Sequence, residues 1–94
     1  MATKGDSDTI FIGSKPLMNY VTAMRFQFER KKKKAILVKA RGKYISTAFI
    51  VTQILRKIIT NVNISSINVL DEEVINKEKQ KITITGIEII LKIS

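Results

Sequence analysis

Thr9-Ile10-Phe11-Ile12-Gly13-Ser14-Lys15-Pro16-Leu17 is the stretch that decides the fold. Its apolar run, Thr9-Ile10-Phe11-Ile12, has the length of a buried strand and is closed by Gly13. Pro16 suits the first turn of a helix, where its missing N–H costs nothing, and Ser14 stands where a cap is expected. Leu17, Val21, Met24 and Phe28 then recur at helical spacing and make one apolar face. The helix closes in the basic run of residues 30–34, where like charges crowd, and Ala35-Ile36-Leu37-Val38 supplies a second buried strand. A strand, a helix and a strand in this order form a right-handed parallel unit.

Working outward, Lys39-Ala40-Arg41-Gly42-Lys43 reads as a loop in which Gly42 provides a permissive backbone. A second helix is expected over residues 44–59, with Ile45, Ala48, Val51, Leu55 and Ile59 as its core stripe and Ser46, Gln53, Arg56 and Lys57 as a narrow polar wedge. Ile50, Ile54 and Ile58 widen the apolar arc beyond one stripe. A helix that apolar needs a second burial surface, so Ile50, Ile54, Ile58 and Ile59 are the candidate subunit interface.

Asn61-Val62-Asn63 breaks the helix, and residues 65–70 and 81–93 read as the third and fourth strands, with a charged segment over residues 71–80 between them. In the last strand Ile82 and Ile84 have one parity, while Ile87, Ile89, Leu91 and Ile93 have the other. Gly86 lies between and marks a bulge or bend. Residues 87–93 are therefore expected to pair in the sheet, and the segment before Gly86 to lean out as a hairpin arm. The expected fold class is α/β, in the sense of an α+β sandwich. It is a single β-α-β-α-β-β domain over residues 9–94, with a mixed four-stranded sheet and two helices on one face. Residues 1–8 are polar and read as a disordered start.

Composition narrows the function. Over 94 residues the formal charge is +9, which raises the potential across most of so small a surface and calls for acidic partners. Nucleic acid comes first and an anionic membrane surface second, since both bind by exchanging counterions near phosphates. Cysteine and histidine are both absent, which removes thiol chemistry, zinc thiolate sites and the commonest general base. No apolar run approaches the roughly 18 residues of a membrane helix, and the N-terminus lacks the apolar stretch of a signal peptide. The chain contains neither a P-loop nor G-x-G-x-x-G. Asp71-Glu72-Glu73 has the donors for magnesium but sits in an expected exposed hairpin with no facing acid, so no metal, cofactor or catalytic residue is assigned. The reading is a binding protein, not an enzyme.

The parallel unit places the charges. It brings the two strand-to-helix loops to one end of the sheet, so Ser14 and Lys15 fall near Lys39, Arg41, Gly42 and Lys43. Both helices start at that end and offer N–H groups to a phosphate. The basic run of residues 30–34 falls at the opposite end, where basic residues suit a helix C-terminus, and reads as a solvated turn. Lys77, Lys79 and Lys81 alternate at strand spacing and would share one face of the arm, as a basic ribbon that follows a groove or as a mobile loop of mixed charge.

Ile10-Phe11-Ile12-Gly13-Ser14-Lys15-Pro16-Leu17-Met18-Asn19-Tyr20-Val21 resembles the opening strand, loop and helix of the Alba family, small chromatin and RNA-binding proteins typical of archaea. Val38-Lys39-Ala40-Arg41-Gly42-Lys43-Tyr44-Ile45-Ser46-Thr47-Ala48 resembles their second signature, and Thr85-Gly86-Ile87-Glu88-Ile89 also fits. The resemblance implies a dimer on a fold like the C-terminal domain of bacterial translation initiation factor three. It implies nucleic acid held by the two loops and arms reaching into the minor groove. By matching position Lys15, Lys39, Arg41 and Lys43 would be contacts, and Lys77, Lys79 and Lys81 would belong to the arm. Many relatives carry two lysines before the proline, the first of which can be acetylated; here that position is Ser14, which removes that control. Ile59 stands where some relatives place a phenylalanine that joins dimers along DNA. The expected function is a cytoplasmic, nucleoid-associated protein that coats and compacts double-stranded DNA without sequence preference and also binds RNA. The alternatives are an RNA-binding subunit of a ribonucleoprotein and a heterodimerisation partner of a paralogue.

Overall fold

The computed structural model describes residues 9–94; the expected disordered start, residues 1–8, lies outside them. Six elements follow in the expected order: β1 (Thr9–Phe11), α1 (Leu17–Arg25), β2 (Ala35–Arg41), α2 (Ile45–Ile58), β3 (Val62–Ile75) and β4 (Lys81–Ile93). One π-helical turn, Phe26–Arg30, extends α1, and a 3-10 turn, Gly42–Tyr44, leads into α2. The sheet order is β1-β2-β4-β3, with β1 parallel to β2 and the other pairs antiparallel.

Alternation along the strands explains why one face is covered. Ile36, Val38 and Ala40 of β2 lie opposite Leu91, Ile89 and Ile87 of β4, and all six are buried. Over them pack Val21, Met24 and Phe28 from the first helix and its π-helical turn and Ala48, Val51 and Leu55 from α2, in one apolar cluster. Full burial of such aliphatic side chains contributes about 1.5–3 kcal/mol each, so this layer supplies most of the driving force. In the π-helical turn the Lys31 N–H donates to the Phe26 carbonyl at 3.0 Å. The extra residue rotates the chain so that both Gln27 and Phe28 turn inward. The other sheet face carries Leu37, Lys39 and Arg41 of β2 beside Glu88 and Ile90 of β4, and no helix of the described residues covers it.

Several local expectations are corrected. β1 is an edge strand, and only its helix-facing side is packed: Phe11 is 63% exposed because it sits opposite Lys39 on the open face. Ser14 does not cap α1; Pro16 occupies the cap position with no side-chain cap bond. Lys39, Ala40 and Arg41 are not loop residues, since β2 runs through Arg41 with Gly86 as its last partner. The second helix has ended before Asn61-Val62-Asn63, as expected, but Val62 already begins β3, and the charged residues 71–75 continue that strand opposite residues 81–85. The register shift lies between Ile64 and Ser66 of β3, so the bulge is at Ser65 and not at Gly86. Gly86 is needed for close approach instead: a Cβ there would lie 3.1 Å from the Ala40 carbonyl oxygen and 3.3 Å from Arg41 Cγ. The parity change in β4 is real but needs no slip, because the apolar residues move to the other face where the sheet narrows to two strands.

That narrowing makes the arm. Past Gly86, among the described residues, β3 and β4 pair only with each other, from Asp71 opposite Thr85 to Ile75 opposite Lys81. At about 3.3 Å per residue, these pairs project roughly 16 Å from the body, and the molecule measures 44 × 27 × 22 Å.

Candidate nucleic-acid interface

The loop between β1 and α1 is held from below by one side chain. The buried Tyr20 hydroxyl accepts the backbone N–H groups of Gly13 and Lys15, each at 2.9 Å. These two donors are thus committed within the chain. Ser14, Lys15 and Pro16 remain exposed at the surface of the loop. The Ile12 N–H donates to the Lys39 carbonyl at 2.9 Å, which fixes this loop beside the end of β2.

At that end Lys39 and Arg41 project from the open face, and each has a carboxylate partner. Lys39 Nζ is 3.3 Å from Glu88 Oε2, and an Arg41 guanidinium nitrogen is 3.0 Å from Glu72 Oε1 on the arm. Gly42 turns the chain at φ +55°, a backbone that favours glycine, and Lys43 Nζ lies 5.5 Å from the Tyr44 ring centroid. Among the described residues neither Lys15 nor Lys43 has a carboxylate within ion-pair distance. A concavity of about 750 Å³ opens here between Phe11, Lys39, Arg41, Tyr44 and the base of the arm at Leu70 and Ile84. The expected grouping of Lys15, Lys39, Arg41, Gly42 and Lys43 at one end is therefore present, with two of the cations already paired.

Lys77 and Lys79 do not lie along a strand face, which corrects that expectation. Both belong to the tight turn at the arm's tip, where Asn76 Oδ1 accepts the N–H groups of Glu78 and Gln80, and Lys79 adopts φ +64°. Only Lys81 is in a strand, opposite Ile75, so the three lysines crowd the tip. Asp71, Glu72 and Glu73 alternate across the ribbon: Asp71 accepts the Thr85 hydroxyl at 3.2 Å, while Glu72 meets Arg41. Among the described residues no three Asp or Glu side chains converge on a point that could hold a metal. The basic run ends where β2 begins, about 23 Å from Gly42 at strand rise. There Lys31 Nζ is 6.0 Å from the Phe26 ring centroid and Lys32 takes φ +59°.

Of the candidate interface isoleucines, Ile50 and Ile58 are exposed on α2, at 48% and 41%, while Ile54 and Ile59 are half-buried against the core. Sequence reasoning missed three partners of this surface. Phe49 is also exposed on α2, and Ile67 and Val69 are exposed on β3, where they pair with Ile89 and Ile87 on the helix side of the sheet. It also missed Tyr20, although Leu17, Tyr20, Val21 and Met24 follow the i, i+3, i+4, i+7 spacing of a buried stripe. Glu72 and Glu88 carried no readable signal as ion-pair partners, because their pairing depends on strand register. No helix among the described residues is long and apolar enough to cross a membrane.

Comparison with known proteins agrees with the geometry. The Alba family model matches residues 8–74. The DNA/RNA-binding protein Alba of Methanocella arvoryzae is 39% identical over 88 residues, 93% of this chain and 91% of that one. The corresponding protein of Picrophilus torridus is 40% identical over 87 residues, 92% of this chain and 96% of that one. Among solved structures, Alba from Thermoplasma volcanium superimposes with a TM-score of 0.83 at 38% identity, covering 89% of this chain and 98% of that chain. An Alba protein from Trypanosoma brucei matches in fold, with a TM-score of 0.74 at 17% identity over 93% of this chain and 69% of that chain. The chain belongs to the Alba family.

Proposed function

We propose that this chain is a nucleic-acid-binding protein that coats and compacts double-stranded DNA on the nucleoid, with little sequence preference, and that it also binds RNA. The observation that carries this reading is the parallel pairing of β1 with β2, which sets the exposed Lys15 loop beside Arg41, Gly42 and Lys43 at the end from which the arm departs. Cations gathered at one edge gain by releasing condensed counterions from phosphates, and this gain is indifferent to base sequence. Lys77, Lys79 and Lys81 at the tip add a second group of cations that fits a groove. The relatives' name, DNA/RNA-binding protein, supports the class of partner. The exposed Phe49, Ile50 and Ile58 of α2, with Ile67 and Val69 of β3, support a symmetric dimer with itself or a paralogue. Two linked edges then bind one duplex far more tightly than one. The protein works by binding and not by catalysis.

The test is the salt dependence of duplex affinity, measured by anisotropy. Affinity falls steeply with salt, and Lys15→Ala, Arg41→Ala and Lys43→Ala together flatten the log–log slope by roughly 0.9 for each phosphate no longer neutralised. Lys32→Ala with Lys33→Ala, at the far end, changes the slope less. A flat salt response in the unaltered protein, or greater damage from the far pair, overturns the reading.

A further inference from the structure

We propose that the open face of the sheet, centred on Phe11, is a stacking platform for an unpaired nucleobase. The platform gives the protein a hold on single-stranded nucleic acid that it does not use on duplex. This deepens the phosphate-binding reading above and rests on it.

Phe11 is 63% exposed, although β1 has a packed side on which the ring would be buried. It is the last residue of β1, four positions before Lys15. The register places four residues in one row across the open face: Phe11, Lys39, Glu88 and Asn68. Lys39 Nζ lies 5.8 Å from the Phe11 ring centroid and 3.3 Å from Glu88 Oε2. The row therefore offers an aromatic ring, a cationic donor, a carboxylate acceptor and an amide that both donates and accepts. These are the groups that take up the face and the edge of a base. Leu37 and Ile90, half-buried in the next row, give an apolar floor for a sugar.

A duplex cannot stack on this ring, because each of its bases is already stacked on its neighbours. A strand whose phosphate rests at the Lys15 loop carries a free base that can lie on the ring. The charged row also argues against an apolar protein segment as occupant, since covering it would bury the Lys39 and Glu88 charges away from water. Base and phosphate are common to RNA and DNA, so the ligand class is an unpaired nucleotide of either.

The chain contains no tryptophan, so Phe11→Trp introduces a single tryptophan at the platform, excited selectively over Tyr20 and Tyr44. It is titrated with a 12-nucleotide uridine RNA, a 12-nucleotide thymidine DNA and a blunt DNA duplex of the same length. The expected result is quenching by the single strands and none by the duplex. Phe11→Ala weakens single-strand binding about tenfold and leaves duplex affinity within about twofold, and Phe11→Tyr restores it. Thermal unfolding of each variant checks the fold, which an exposed ring leaves intact. Quenching by either strand supports the platform, and the strand that quenches identifies the source. Absence of quenching by both, or unchanged single-strand affinity in Phe11→Ala, overturns it while duplex binding stands. A wild-type protein that binds neither strand nor duplex overturns the wider reading as well.

Discussion

Tyr20→Phe separates what the basic loop owes to its charges from what it owes to its shape. The substitution deletes one oxygen and no packing. That oxygen accepts two backbone N–H groups, from Gly13 and Lys15, at 2.9 Å each. A typical intramolecular hydrogen bond contributes about 0.5–1.5 kcal/mol net, so two are worth about 1–3 kcal/mol. Lys15 is exposed and Gly13 half-buried, and water can reach part of what is vacated, which favours the lower half of that range, about 1–2 kcal/mol. For a chain of this size each kcal/mol lowers the unfolding temperature by about 4–8 °C. The unfolding midpoint therefore drops clearly in a thermal or denaturant titration at fixed protein concentration, with the denaturant slope unchanged. Duplex affinity falls about fivefold, because a loosened loop must be ordered again on binding. The salt slope stays constant, since no cation is removed. A midpoint within about 1 °C of the unaltered protein would refute the argument that the hydroxyl holds the loop. A reduced salt slope would show that the loop's shape and its phosphate pairing are not separable.

Ile50→Asp leaves the monomer folded, because Ile50 is 48% exposed, and abolishes the proposed dimer, which light scattering reads as the mass of a single 10.7 kDa chain. Ile54→Asp, half-buried against the core, unfolds the chain instead, which loss of the circular dichroism melt reads directly. Glu72→Gln releases Arg41 from its 3.0 Å partner. An exposed ion pair is worth about 0.2–1 kcal/mol, so stability barely changes while duplex affinity rises about 1.5- to 5-fold and the salt slope steepens; an unchanged slope would remove Arg41 from the residues that neutralise phosphates.

The order of elements and the end of the sheet that carries the loops are legible in the sequence because both rest on periodicity and on the handedness of a parallel crossover. The apolar stripe of α1 reads directly from Val21, Met24 and Phe28, all buried. The extent of β3 is not legible. Asp71, Glu72 and Glu73 have little preference for strands, but backbone pairing with residues 83–85 does not consult side chains. The same cause hides the strand character of Lys39 and Arg41. Gly86 stands out in the sequence, but its reason does not: a glycine signals either an irregular backbone or a neighbour too close for a Cβ, and only the distance to Ala40 decides between them. Lys77 and Lys79 alternate in sequence as strand residues do, yet Asn76 folds them into a turn through two side-chain hydrogen bonds that leave no periodic trace.

The arm is a cantilever. Its fixed end is set where β2 stops at Arg41, and beyond Gly86 its two strands have, among the described residues, no third strand and no core beneath them. A two-stranded ribbon in water is marginal by itself, so its amide protons exchange through local openings that cost far less than global unfolding, whereas those of Val38, Ile89 and Leu91 exchange only when the whole molecule opens. The free end can therefore flex while the clamped end keeps its direction. A rigid finger would demand one groove width and one axial bend; under the proposed duplex binding, a compliant one anchored at a fixed angle would follow a duplex whose width varies along its length, at a cost small against the attraction of lysines for phosphates.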